Sequence, residues 1–447
     1  MALCLRRYRD TLLARPVRPV SPRVLDCAPM CSRPHCTGRV CAAVSFAGLL
    51  VVPPVVAQEG WRFGSEGLRL RRGDFRFNFG GYVQADFRSY HDWEAGDEDT
   101  GLLRSDTAEL RRLRLGFEAR YRRLTVEVDM DPQDEGEELK DALVKLRLAK
   151  GLDLQAGHFK LPVSAEFLTS AARIDFIERA LLATHIGPAR DWGAMLQGER
   201  DWLLVQAGVF KGDGRTRRDR SGATAVGRLL VMPADGLELG GSASLADVEA
   251  EAAGPGLDPR PKGILGEGPS GFLFYERHFV QGKRRRLGGE ASYRRRSVGV
   301  TAEWLRAGEE RRGQGSLLDD LPAQVTTGWS AGATWLLTGE KKDGTIRPRR
   351  PLPRGPGAIE VGARLDLLRF DDEGPDQGFE GAGNRARNIR PAGDRIITGG
   401  LSWWPVAWLR LMGNVLVERY DDPLLAPEPG RQGNYVTFLA RTQLQLR

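Results

Sequence analysis

The chain has 447 residues, of which 41% are hydrophobic and 28% charged, and its formal net charge is +7. All five cysteines lie within the first 41 residues, which excludes a disulfide framework, a thiol nucleophile and a cysteine metal site from the rest of the chain. No stretch after residue 57 contains 18 consecutive apolar residues, so a transmembrane helix is not expected there.

The first 57 residues have the pattern of an upstream extension followed by a secretory signal. Residues 30–57 have a basic start, an apolar stretch over 40–52 and a small-residue cleavage site at 55–57. Residues 1–29 are rich in arginine and proline, and translation is expected to begin at Met30. A genuine long leader is the alternative. Either way, residues 1–57 are expected to be removed during export.

Removal of this leader changes the charge argument. The leader carries eight arginines and two aspartates, so the remaining residues carry 58 basic and 57 acidic side chains, a formal net charge of +1. Any preference for anions must therefore come from where charges lie. An exported chain with neither an anchor helix nor cysteines fits a Gram-negative periplasm or outer membrane. Residues 58–73 are expected to be a short lead-in, plug-like or disordered, and residues 74–447 the folded domain.

The folded domain alternates apolar and polar residues along most of its length. The clearest segment alternates four arginines and Glu118 with Leu113, Leu115 and Phe117. Because side chains on a strand point to opposite faces, this strand has one apolar face and one basic face. About fifteen or sixteen such segments follow one another, each near the ~9 to 11 residues of a tilted transmembrane strand. This predicts an all-β fold, a transmembrane antiparallel β-barrel with a polar lumen, rather than a soluble sandwich.

Glycine, proline and aspartate mark the connections between these strands. Asp235-Gly236 and Asp343-Gly344 are typical of tight turns. Residues 255–271 and 347–357 are longer and rich in proline and glycine, which predicts surface loops. Short turns at one rim and long loops at the other are typical of an outer-membrane barrel.

Several collinear segments resemble the phosphate-selective porins O and P, a family of outer-membrane channels. The resemblance lies in residues 80–84, 139–142, 157–166, 176–179, 208–212, 335–340 and 396–404. It implies a sixteen-stranded barrel, a homotrimer, and a third extracellular loop that folds inward, at about residues 161–190, and narrows the pore. It also implies a ladder of basic side chains that draws anions to the constriction. This chain has only nine lysines, so its ladder would consist mainly of arginine.

Two sets of basic residues are candidates for lining the pore. Arginine suits phosphate because its planar fork offers paired donors and stays charged. The first set is Arg112, Arg114, Arg120 and Arg122. The second set, in or beside the inward loop, is Lys160, Arg173 and Arg179. The alternative for the first set is a structural face paired with Glu118, Glu127 and Asp129, and for the second, salt bridges that hold the loop against the wall.

The sequence thus predicts an outer-membrane porin for passive uptake of inorganic phosphate or related anions, surrounded by outer-membrane lipid. No enzyme activity, cofactor, metal or nucleic-acid partner is expected. The histidines show no pair at metal-ligand spacing, and Ser164 with His158 lacks the further polar group of a hydrolase. A general or sugar porin remains an alternative, although a sugar channel needs lumen aromatics. A barrel enzyme and an adhesin are further alternatives.

Overall fold

A computed structural model describes residues 60–64, 67–91, 106–134, 137–212, 222–250, 261–315, 318–342, 344–372, 391–428 and 430–446. The chain divides into two units, Met1–Gln58 and Glu59–Arg447, and every described residue belongs to the second. The predicted extension and signal, residues 1–57, lie outside the described residues.

Sixteen antiparallel strands of the described chain close into a barrel, as predicted. Each of these strands pairs with its neighbour, and β20 pairs back with β3. The barrel consists of β3 to β11 and β14 to β20. The strands are β1 (Gly60–Gly64), β2 (Gly67–Arg72), β3 (Phe75–His91), β4 (Thr107–Tyr121), β5 (Leu124–Met130), β6 (Leu139–Ala149), β7 (Leu152–Lys160), β8 (Arg190–Glu199), β9 (Leu203–Phe210), β10 (Thr224–Ala234), β11 (Leu237–Val248), β12 (Gly266–Glu267), β13 (Leu273–Tyr275), β14 (Gly282–Arg295), β15 (Val298–Arg311), β16 (Leu321–Leu336), β17 (Ala358–Asp372), β18 (Ala392–Val406), β19 (Leu409–Tyr420) and β20 (Tyr435–Gln445).

The predicted lead-in, residues 58–73, contains a β-hairpin. Strand β1 pairs with β2, and β2 pairs with the first residues of β3, from Phe75 to Phe79. Strand β20 pairs with the same edge of β3 further along, from Tyr82 to His91. The hairpin thus prolongs the sheet beyond the end of β20.

The alternation read from the sequence separates the outer wall from the lumen. Phe79, Leu115 and Trp335 point outward and are 41%, 40% and 54% exposed. Gln84 and Asp129 point inward and are buried. An apolar band of this extent, repeated around the barrel, is stable only against lipid, because large exposed apolar surfaces are rare on soluble monomers.

The two rims of the barrel carry different connections. At one rim, here called the turn rim, neighbouring strands are joined by tight turns such as Asp235-Gly236, where Gly236 has φ +80°. The long connection at this rim is residues 337–357, between β16 and β17. The opposite loop rim carries the other long connections. Short turns are periplasmic and long loops extracellular in outer-membrane barrels, which orients the chain.

The prediction of a surface loop at 255–271 was wrong for its described part, residues 261–271. This part and the segment that follows fold into the barrel, where Ile264 and Phe274 are buried in the main apolar cluster. Tyr275 stacks on Phe370 of the wall, with ring centroids 3.9 Å apart. Burial of the apolar side chains removes their surface from water and stabilises the inward position of this segment. This stabilisation is larger than the tendency of its proline and glycine residues to form an exposed loop. Residues 255–260 lie outside the described residues.

Two short helices, α1 (Ala165–Leu168) and α2 (Leu181–His185), occur between β7 and β8. Among the described residues, no helix is long and apolar enough to cross a membrane.

Candidate functional site

The connection between β7 and β8, residues 161–189, lies inside the barrel and is here called the inward loop. Leu161, Leu182 and Ile186 are fully buried. Helix α2 approaches the wall at Gly328 so closely that a Cβ there would lie 2.5 Å from the Leu182 Cβ. Glycine at this position therefore permits the contact. The inward position agrees with the prediction for residues 161–190, with Arg190 beginning β8.

Side chains of the barrel wall hold the backbone of the inward loop. Four of these bonds are Arg441 Nη1 to Ile177 O at 2.9 Å, Arg410 Nη1 to Ile174 O at 2.8 Å, Arg286 Nε to Ile186 O at 2.8 Å and Gln443 Nε2 to Ala172 O at 3.0 Å. Because these donors replace water around the loop carbonyls, the buried polar backbone is satisfied. The loop is thus fixed to the wall from several sides.

Two carboxylates of the inward loop bind basic residues of the barrel. Glu166 Oε1 lies 3.2 Å from Arg364 Nη1, and Asp175 Oδ1 lies 2.6 Å from Lys342 Nζ. Burial raises the pKa of Glu166. Burial also acts to raise the pKa of Asp175, but the Lys342 ammonium outweighs it and lowers this pKa overall. These pairs match the sequence alternative in which salt bridges hold the loop.

A third loop carboxylate, Glu178, faces four arginines of the wall, here called the arginine cluster. The cluster consists of Arg88, Arg111, Arg112 and Arg441. Burial acts to raise the pKa of Glu178, but the four guanidiniums, Arg111 foremost, hold it below its ordinary value. Glu178 Oε1 lies 4.0 Å from Arg88 Nη2. The cluster therefore concentrates positive charge beside the inward loop.

The cluster is only partly neutralised by wall carboxylates. Arg441 binds Asp86 through two bonds of 2.6 Å, and Arg111 Nε lies 3.9 Å from Glu109. Arg112 donates to the neutral Gln84 Oε1 at 3.1 Å. The Nε of Arg88 is buried and has no hydrogen-bond partner among the described residues. The hydrogen bond to Gln84 thus leaves the positive charge of Arg112 unneutralised.

Three of the four arginines predicted on β4 face the lumen. Arg114 Nη2 lies 3.3 Å from Asp131, and Arg120 Nη2 lies 4.0 Å from Glu118. Arg112 alone of these three belongs to the arginine cluster. The predicted ladder is therefore a row in which two members are ion-paired.

Arg122 does not continue this row. Strand β4 ends at Tyr121, and Arg122 lies in the following turn with φ +51°. Its side chain is 67% exposed and pairs with Asp74 at 3.0 Å. The prediction for Arg122 was wrong because the alternation of the sequence continues past the end of the strand. In the turn, the backbone geometry changes the direction of the Arg122 side chain.

Lys160 and Arg179 meet at one end of the inward loop. Lys160 Nζ donates to the carbonyls of Phe167 and Thr169, and Arg179 donates to Thr169 O at 2.7 Å and to Glu166 O. Both cations also lie against the Phe167 ring. They hold the loop in shape. Arg173 is half-buried in the loop. Its backbone N–H donates to Ser170 O at 2.9 Å, whereas its side chain makes no hydrogen bond or ion pair with another described residue.

Sequence reasoning missed Arg88, Arg111 and Arg441 as cluster members. Arg88 and Arg441 lie at the lumen parity of their strands, which was a usable signal. Arg111 lies at a register shift, where Arg112 opposes Gln84 and Leu110 opposes Ala85. Such a β-bulge inserts one extra residue and cannot be read from alternation.

Comparison with solved structures shows the same architecture in outer-membrane proteins. In-vitro folded OmpT of Vibrio cholerae has a TM-score of 0.52 and 9% identity, over 84% of this chain and 99% of that chain. The anion-selective porin from Comamonas acidovorans has a TM-score of 0.51 and 12% identity, over 83% and 99%. Pseudomonas putida OprB has a TM-score of 0.50 and 10% identity, over 83% and 94%. At these identities the likeness concerns the fold. Comparison with curated protein sequences finds no match.

The barrel with its inward loop defines the chain as an outer-membrane porin. Residues 77–447 match the model of the family described as phosphate-selective porin O and P. The chain belongs to this family. Family and fold together point to a channel rather than an enzyme.

Proposed function

We propose that the chain forms a water-filled channel that prefers anions and admits phosphate or related anions by passive uptake. The observation that carries this proposal is the arginine cluster beside the inward loop. A guanidinium fork matches the oxygens of phosphate and stays charged at any relevant pH. An entering anion can compete with Glu178 for these guanidiniums.

Charge placement supports a local rather than a global preference. Beyond the cluster, arginines of the lumen wall pair with carboxylates, including Arg284 with Glu309 at 2.5 Å and Arg228 with Glu290 at 2.5 Å. Such pairs contribute little net field to the pore. The anion preference therefore depends on the few guanidiniums beside the inward loop.

The second candidate function is a general porin without phosphate selectivity. The same paired wall residues favour it, because they make most of the lumen electrically balanced. The two functions differ in whether phosphate blocks the current carried by chloride. A selective site binds phosphate long enough to interrupt that current, whereas a general pore passes both ions.

Planar-bilayer recordings test the proposal with matched variants. R111Q/R112Q removes two cluster arginines, and R285Q/R306Q removes two outward-facing arginines of β14 and β15 as a control. We expect R111Q/R112Q to shift the reversal potential toward cation permeability and to weaken phosphate block, and R285Q/R306Q to behave as the parent. Equal phosphate block in the parent and in R111Q/R112Q would show that the anion site lies elsewhere. The next candidates for this site would be Lys160, Arg173 and Arg179.

Export and assembly are part of the same proposal. We infer that residues 30–57 direct export, that the mature chain begins at Gln58, and that the channel is a homotrimer in outer-membrane lipid. The trimer rests on the family resemblance, and the signal on the sequence pattern alone. Outer-membrane fractionation with N-terminal sequencing tests the first two statements, and native mass spectrometry the third. Recovery of a periplasmic chain that retains Cys41 would contradict the export step.

A further inference from the structure

Two arginines face each other on the outer wall of the barrel. Arg395 of β18 and Arg419 of β19 are directly opposite in the strand register, and both side chains are exposed. Like charges directly opposite on neighbouring strands destabilise a sheet. Arg395 pairs with Asp421 at 2.7 Å, whereas Arg419 makes no ion pair with a described residue. This outer arginine pair thus has an unmet requirement for negative charge.

The outer arginine pair belongs to a preformed cavity. The cavity measures about 330 Å³ and is closed by the connection between β19 and β20, which contributes Arg431 and Gln432. Arg431 is held by Glu428 at 2.8 Å and lies over the Tyr435 ring. A third guanidinium therefore lines the same cavity as the pair and the Asp421 carboxylate, and the space is large enough for a phosphate group.

The cavity lies at the boundary between the apolar band and the loop rim. Two residues along the same strands, Ile397 and Val417 are opposite each other on the same outward face, and Ile397 is 58% exposed. Phe438 of β20 continues this apolar surface and is 43% exposed. Since the loop rim is extracellular, the three arginines lie at the headgroup level of the outer leaflet.

We propose that this cavity binds the phosphorylated headgroup of an outer-leaflet glycolipid. The phosphate would bridge Arg395 and Arg419 and relieve their repulsion, while the acyl chains lie along Ile397, Val417 and Phe438. Free phosphate could meet the same guanidiniums, but it gains nothing from the apolar wall below them. The continuity of cationic cavity and apolar surface therefore favours a lipid. The arginine pair lies on the outer wall, and the site does not depend on the proposed anion preference.

Lipid titration followed by native mass spectrometry tests the site on the folded full-length barrel in detergent. The probes are diphosphoryl lipid A, its dephosphorylated form and inorganic phosphate. The test variant is R395Q/R419Q, and the control is R285Q/R306Q, which removes the same charge from outward positions that are not opposite each other. Heat-modifiable gel migration verifies that each variant is folded.

We expect R395Q/R419Q to weaken diphosphoryl lipid A binding about tenfold or more, as for loss of a charge-assisted bond to phosphate. The parent should bind dephosphorylated lipid A more weakly than diphosphoryl lipid A, by a similar factor. R285Q/R306Q should bind diphosphoryl lipid A as tightly as the parent does. Equal binding by R395Q/R419Q would overturn the site. Competition by inorganic phosphate at concentrations near those of the lipid would assign a free-anion site instead. Dissociation of an oligomer in R395Q/R419Q alone would show that the face contacts another copy of the chain.

Discussion

At the scale of single residues, the partner of each arginine decides its role. Arg364 binds Asp366 at 2.7 Å and also Glu166 of the inward loop. Its charge is therefore neutralised, and the side chain holds the loop against the wall. Glu178 is different, because burial acts to raise its pKa and four guanidiniums together outweigh burial and lower it. Together with Asp86 and Glu109, this carboxylate only partly neutralises the four arginines, and we propose that a passing anion competes for its place.

Glu178→Gln should therefore increase the anion preference of the channel. The substitution keeps the size of the side chain and removes the negative charge that Glu178 places beside the arginine cluster. We expect a larger anion permeability ratio from the reversal potential and tighter block by phosphate. Glu310→Gln is the matched control, because Glu310 pairs with Arg285 on the outward side of β14 and β15. Identical ratios for E178Q and the parent would contradict the assigned role.

The pH dependence of the channel follows from the same carboxylate. Because the arginines lower the pKa of Glu178, its charge persists below the ordinary glutamate pKa of about 4.3. Protonation of Glu178 should raise the anion preference only below about pH 4.3, and E178Q should lack this rise. Changes at higher pH come from other groups, such as Glu166 with its raised pKa, and should occur in E178Q as well. Reversal potentials of the parent and E178Q along an acid series measure both, and a rise well above pH 4.3 that E178Q lacks would refute the electrostatic account.

At the scale of elements, the inward loop occupies part of the barrel interior, and we propose that it limits the width of the pore. Its backbone is tied to β14, β19 and β20 by Arg286, Arg410 and Arg441. Deletion of residues 164–184 should leave these arginines in a wider, hydrated lumen. We expect a several-fold rise in single-channel conductance from the folded variant. A deletion variant that folds and conducts like the parent would show that the loop does not set the pore width.

A connection at the turn rim reaches the same loop from the periplasmic side. Lys342 binds both Asp175 and Glu360, and it is buried, whereas the neighbouring Lys341 is exposed. Lys342→Met leaves two carboxylates without their cation and should lower the free energy of unfolding by about 3 to 5 kcal/mol. Lys341→Met should leave it unchanged. Urea unfolding followed by tryptophan fluorescence compares the two, and equal stabilities would exclude Lys342 as an anchor.

The sequence predicted elements better than it predicted contacts between them. The alternation of apolar and polar residues over β3 to β20 was sufficient to predict the barrel, because outward-facing residues contact lipid and must be apolar. The segment around Ile264 was predicted outside because proline and glycine dominate its composition, yet its packing on Phe370 depends on chain closure around the lumen. Contacts such as Arg441 with Ile177, 264 positions apart, follow from the closed barrel and have no local signal.

At the scale of the whole molecule, a nearly neutral mature chain is proposed to make a charge-selective pore. The 58 basic and 57 acidic side chains after residue 57 leave no global field to attract anions. Selectivity then depends on the position of a few incompletely neutralised arginines beside the inward loop. Added salt should therefore screen the preference only weakly, because partly buried charges are less screened than exposed ones.

The reversal potential of the refolded barrel in a KCl gradient tests this account most directly. A planar bilayer holding the purified chain separates concentrated from dilute KCl, and the voltage at zero current reports which ion crosses more easily. We predict a reversal potential shifted toward the chloride equilibrium potential, and a chloride current reduced by added phosphate. A reversal potential at zero or toward the potassium equilibrium potential, with no effect of phosphate, would contradict an anion-preferring channel.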